Sequence, residues 1–170
     1  MKIKLNVVVQ NAIYTALYVV LCIVFKPISY GAVQVRIAEA LCILPLLDPF
    51  AVISVTLGCF IANMLNGNII DTVFGTIATF IGLFVIRFIK IDKENIKILN
   101  VNINIFFIKM LPTILSNAFI IPLVLKYAYS ENMPLVFAAI YVAVGEVVAV
   151  YIIGFLLYKA LKKINIKFER

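Results

Sequence analysis

Histidine is absent from the 170-residue sequence, which removes the commonest general base and the commonest metal ligand together. Charge is scarce as well. Only 14% of residues are charged, where a soluble domain carries about a quarter. No phosphate-cradling GxxxxGK[ST] loop is present, so any ATP that drives this protein must be hydrolysed on another chain. Cys22, Cys42 and Cys59 lie inside apolar runs without the paired spacing of a metal knuckle; they read as buried thiols that behave as small hydrophobes. No Gly/Ser linker or low-complexity tract divides the chain, so residues 1–170 form a single unit. Lacking a nucleophile–base pair or a metal set, the sequence offers no catalytic equipment. It also lacks the repeated polar rings and strong self-assembly motifs that a channel would show. Neither a metal nor a cofactor is expected.

What fills the space instead is apolar. Hydrophobic residues make up 65% of the chain, more than a core of this size can hide, so the lipid bilayer is the expected solvent. Apolar stretches mark an all-α membrane protein with six transmembrane helices, at 7–25, 36–47, 50–65, 70–89, 105–129 and 134–158. The first is longer than a signal-peptide core and ends in Phe25-Lys26-Pro27 rather than at a small-residue cleavage site, so it is expected to be retained. Pro27 and Gly31 mark the first loop, and Asn66-Gly67-Asn68 is a strong turn signal. Residues 90–104 form the one long polar connector, and Pro112 and Pro122 are expected kinks in the fifth span. The net charge of +7 sits in the gaps between apolar runs rather than on an amphipathic face. This argues against nucleic acid and for the anionic inner leaflet of a membrane. Lys2, Lys4, Lys90, Lys93, Lys97, Lys159, Lys162, Lys163, Lys167 and Arg170 fall on one side, with chiefly Lys26, Arg36 and Lys126 opposite. Both termini are therefore expected in the cytoplasm.

Charged side chains inside apolar spans are candidates for function, because each costs several kcal/mol in lipid. Arg36 and Glu39 are three residues apart and share a helix face. They form either a structural ion pair or the border of a ligand pocket. Asp71 opens the fourth span, where an acid either favours the helix dipole or faces a solute. Glu146 stands about twelve residues into the last span, beyond any cap or snorkelling route. Asn63 and Asn117 serve either interhelical hydrogen bonding or ligand recognition. Together these six groups sit on five spans and point to one outward-facing cavity. Carboxylates outnumber bases among them, which suits a cationic or donor-rich solute. In the first span Ala12 and Ala16 are four apart and form a small-xxx-small face, for packing or for docking.

The stretches FKPISYGAVQVRIAEALCILPL (25–46), LGCFIANML (57–65) and DTVFGTIAT (71–79) resemble the QueT family. These are substrate-binding S-components of energy-coupling-factor transporters, associated with uptake of queuosine precursors. The resemblance implies a six-helix S-component-like bundle in a bacterial plasma membrane, with both termini cytoplasmic. It implies capture of a small solute at the outer face and partnership with a transmembrane coupling protein and two ATPases. It implies that Ala12 and Ala16 form the docking face, and that the solute is a 7-deazaguanine base such as preQ1, preQ0 or queuine. One carboxylate accepts adjacent N–H donors of a guanine-like edge in bidentate fashion, and an aminomethyl cation wants a second acid. On this chemistry Glu146 is expected in one role and Asp71 or Glu39 in the other. Asn63 and Asn117 would read the carbonyl and ring nitrogens. Tyr30, Tyr141 or Phe74 would stack on the base, with Tyr30 and Gln34 in a covering loop. An S-component for another vitamin or nucleobase-like precursor is the alternative; it would share the fold and differ in the pocket.

Overall fold

The computed structural model describes residues 5–29, 35–67, 69–90, 94–98, 101–128 and 133–164. Helix α1 (Leu5–Val24) is followed by a single turn, α2 (Lys26–Ser29), and then by a 3-10 helix, Ile37–Leu46. Helices α3 (Ala51–Leu65) and α4 (Ile69–Ile86) come next. A hairpin of β1 (Asn95–Ile98) and β2 (Val101–Asn104) leads into α5 (Ile105–Ala128). The last helix is continuous in three parts: α6 (Leu135–Glu146), a π-helical stretch Val147–Ile153, and α7 (Gly154–Lys163). Four helices are long and apolar enough to cross a membrane: Leu5–Val24, Ile69–Ile86, Ile105–Tyr127 and Leu135–Lys163. Two shorter apolar helices, Ile37–Leu46 and Ala51–Leu65, lie among them.

The second apolar run is short, and its geometry lengthens it. A 3-10 helix rises about 2.0 Å per residue against 1.5 Å in an α-helix. Its ten residues therefore cover about 20 Å instead of about 15 Å. The poorer hydrogen bonding of such a helix is tolerated in a membrane only where protein surrounds it. That condition is met: Ala38 to Pro45 are all buried. The segment touches α1, α3, α4, α5, the π stretch and α7, and so forms the centre of the bundle. Around it α1 packs on α3, α3 on α4, α4 on α5 and α5 on α6. Tyr18, Cys22, Ile43, Leu83, Phe106 and Met110 are among the residues that fill the core between them.

Close packing of α4 on α5 needs Gly82. A Cβ there would come within 2.6 Å of the Thr113 Cα and 2.7 Å of the Ser116 hydroxyl oxygen. Gly67 closes the turn after α3 with φ +82°, a conformation that favours glycine. Helix α5 runs unbroken through both Pro112 and Pro122.

One element departs from the all-α expectation. The polar connector folds in part as an antiparallel hairpin that pairs Asn95 with Asn104, Ile96 with Ile103 and Lys97 with Asn102. The alternation of Asn/Lys with Ile in this stretch is the period of a strand, not of a helix. Asn104 then caps α5: its Oδ1 accepts the Phe106 backbone N–H at 2.9 Å. At the hairpin's start Glu94 forms an ion pair with Lys162 in α7, which ties the connector to the end of the last helix.

Candidate functional site

Near the centre of the bundle, helices that are apolar elsewhere turn a set of polar side chains toward one another. In the 3-10 helix, residues three apart eclipse, so Arg36, Glu39 and Cys42 fall in one row. Glu39 is fully buried. Its Oε1 accepts the Tyr18 hydroxyl from α1 at 2.5 Å, and its Oε2 accepts the Cys42 thiol at 2.9 Å. Both carboxylate oxygens are thus occupied by donors of the protein itself. Arg36 reaches sideways to α4, where its Nη1 lies 3.7 Å from the point a Cβ on Gly75 would occupy.

Asn63 on α3 comes to the same place. Its Nδ2 lies 3.0 Å from the Gly75 Cβ position. That amide donates to the Asp71 carbonyl at 3.1 Å and to the Cys59 sulfur at 3.4 Å, joining α3 to the first turn of α4. Cys59 in turn contacts the Thr79 hydroxyl at 3.5 Å. Gly75, by lacking a side chain, leaves the room in which the guanidinium and the amide approach α4. The Asp71 side chain is buried in that same first turn.

Glu146 closes the seam from the last helix. It is 5% exposed, and its Oε1 accepts the Asn117 amide of α5 at 3.0 Å. Its Oε2 is buried and has no hydrogen-bond partner among the described residues. Glu39 and Arg36 both lie within electrostatic reach of this carboxylate. A buried carboxylate oxygen without a donor is costly in a low-dielectric interior, which makes this atom the most reactive acceptor of the group toward an incoming N–H.

The structure therefore brings Arg36, Glu39, Asn63, Asp71, Asn117 and Glu146 into one region of the bundle. It does not bring Phe74 and Tyr141 there. Phe74 is 47% and Tyr141 38% exposed, because the 100° step per helical residue turns Phe74 away from the face that carries Gly75. Tyr30 and Gln34 lie outside the described residues. Ala12 and Ala16 are exposed on α1. Sequence reasoning missed three groups of the seam. Tyr18 is a long-range partner, and Cys42 and Cys59, read from sequence as small hydrophobes, are buried but also hydrogen-bonded. The three-residue spacing from Glu39 to Cys42 was the available clue. Among the described residues no cluster of His, Cys, Asp or Glu has the makings of a metal site.

The chain matches the family model described as the QueT transporter over residues 8–163. It is also similar to the queuosine precursor transporter QueT of Lactococcus lactis subsp. cremoris (strain MG1363), at 30% identity over 169 residues, covering 97% of this chain and 98% of that protein. No solved structure matches the chain. With an apolar bundle built around one buried polar seam, and a family match over nearly its whole length, the chain belongs to the QueT transporter family.

Proposed function

We propose that this protein is the solute-binding membrane subunit, an S-component, of an energy-coupling-factor importer, and that it captures a queuosine precursor of the 7-deazaguanine type at the outer face. The observation that carries the reading is Glu146: a buried carboxylate with one oxygen held by Asn117 and the other unpartnered among the described residues. That arrangement suits a solute that presents N–H donors, as the edge of a guanine-like base does, and the charge-assisted bonds would be short and strong. The similarity to a protein named a queuosine precursor transporter supports the same solute class.

In this reading Glu146 is the primary acceptor and Asn117 orients it. Arg36 and Asn63, which approach each other over Gly75, offer donors to a carbonyl or ring nitrogen of the solute. Asp71 is the second acid, assigned to an aminomethyl cation. Glu39, held by Tyr18 and Cys42, fixes the 3-10 helix and sets the local charge.

The long helices and the two short apolar ones together make six crossings of a single membrane domain, with both termini in the cytoplasm. The asymmetric distribution of Lys and Arg supports that orientation. ATP hydrolysis belongs to separate chains, reached through a transmembrane coupling protein that docks on the Ala12–Ala16 face of α1.

Calorimetric titration of the purified protein with preQ1, preQ0, queuine and guanine tests the reading, with Glu146→Gln alongside. The wild type is expected to bind a deazaguanine, and the variant to bind it about tenfold to a hundredfold more weakly, the worth of a hydrogen bond to a charged group. Binding unchanged in Glu146→Gln would move the site to Asp71. No heat from any of the four, on folded protein, would overturn the queuosine assignment.

A further inference from the structure

At the end of the bundle away from the α3–α4 turn, a second feature stands apart from the polar seam. A cleft of about 330 Å³ opens between the end of the 3-10 helix, the end of α4 and the second turn of α5. Its wall carries Arg87, Lys90 and Lys109, over an apolar floor of Leu46, Ile86 and Ile89. Among the described residues, none that lines the cleft is acidic and none of the three cations has an ion-pair partner.

Helix capping does not account for these cations. The carbonyls of Phe84, Val85 and Ile86 at the end of α4 already accept the backbone N–H groups of Arg87, Phe88 and Ile89, at 3.1, 3.0 and 3.2 Å. Snorkelling accounts for Arg87 and Lys90, which follow the end of α4 and are exposed, but not for Lys109 in α5, which is half-buried rather than extended into water. Mutual repulsion at such a place is relieved by an anion. The volume is enough for a small ligand group.

A further observation selects the kind of anion. Phe80, Phe84 and Phe88 form a ladder down the outer surface of α4, with ring centroids 5.5 and 5.1 Å apart, and all three are exposed. Arg87, seven residues on from Phe80, returns after about two turns to the same side of the helix. An apolar strip thus runs down the side of the helix that ends at Arg87, one of the residues lining the cleft. We propose that this cleft binds the phosphate of an anionic phospholipid, with an acyl chain lying along the phenylalanine ladder. Basic pockets between membrane helices are suited to such headgroups. The phosphate takes its hydrogen bonds from Arg87, Lys90 and Lys109, and the glycerol region rests on Leu46 and Ile89.

The test uses delipidated full-length protein in detergent and native mass spectrometry with phosphatidylglycerol and phosphatidylcholine of identical chains. Wild-type protein is expected to retain phosphatidylglycerol with about a hundredfold preference, from three basic residues at roughly 1 kcal/mol each. The triple variant Arg87→Gln/Lys90→Gln/Lys109→Gln loses that preference. A control with the same loss of charge elsewhere, Lys126→Gln/Lys159→Gln/Lys163→Gln, keeps it. Equal loss in both triples, or no preference in the wild type, overturns the site. Inorganic phosphate, added alone in a thermal-unfolding assay, separates the sources: stabilisation equal to that by the lipid, and abolished in the cleft variant, overturns the lipid assignment in favour of free phosphate. Should the cleft triple fail to fold, the single Lys109→Gln variant is read against the same lipids, and an undiminished preference there overturns the proposal.

Discussion

At the scale of single residues, the two buried glutamates are the clearest case of similar chemistry put to different use. Glu39 and Glu146 both lie within the apolar bundle, yet Glu39 is satisfied at both oxygens and Glu146 at one. The sequence marks both as costly charges in apolar runs and cannot rank them, because the difference rests on Tyr18, twenty-one residues away. Burial and spacing were legible; the partner was not, since a long-range hydrogen bond leaves no trace in local pattern. The distinction is testable with Tyr18→Phe. Removing that hydroxyl leaves one oxygen of Glu39 without its donor, and the variant should be destabilised by about 1–3 kcal/mol in reversible denaturation in detergent. Its affinity for the precursor should stay within about threefold of wild type. Affinity that falls as far as in Glu146→Gln, with stability unchanged, would instead make Glu39 a ligand group.

Among the elements, the long helices were readable from apolar length alone, because a bilayer imposes a minimum on it. The irregular ones were not. Nothing in IAEALCILPL announces 3-10 winding, and the segment is buried on every side. The π stretch beginning directly after Glu146 is equally silent in sequence. The hairpin was latent in the alternation of NIKI and VNIN, hidden because charge in that stretch dominates a hydropathy reading. Its link to α7 makes a pH-dependent prediction. The Lys162 ammonium, hydrogen-bonded to Glu94, holds that carboxyl below the ordinary glutamate range. A depressed folded-state pKa means that the contribution is present above the unfolded value and is lost as pH falls through the folded one. Hydrogen exchange at the amides that bond across the hairpin should therefore quicken as pH drops through and below the ordinary glutamate range, after correction for intrinsic rates. In Glu94→Gln the amides should be less protected at neutral pH and show no such step. A step of equal size in the variant would detach the hairpin's order from this ion pair.

Across the whole molecule, burial is uneven in a way that bears on assembly. Only 17% of the apolar window of α1 is buried within the chain, against 39% for α4, 39% for α5 and 33% for the last helix. Yet α1 supplies Tyr18 to the core and packs on α3, where a Cβ at Gly58 would meet the Tyr18 Cβ at 2.7 Å. One face is fixed inside and the remainder is left to lipid or to another chain. Ala12 and Ala16 lie on exposed positions, where the absence of large side chains lets a second helix approach closely. Lipid alone gives no reason for small residues there, whereas a docking helix does. Replacing both with leucine, in Ala12→Leu/Ala16→Leu, fills that face without touching the seam around Glu146. Precursor affinity of the purified variant should remain within about twofold of wild type. Uptake by cells that carry the coupling protein and ATPases proposed as its partners should fall to the level of cells lacking this subunit, and the subunit should no longer co-purify with them. Lost affinity together with lost uptake would mean that the alanines serve internal packing. Uptake that persists with leucines in place would put the docking surface on another helix.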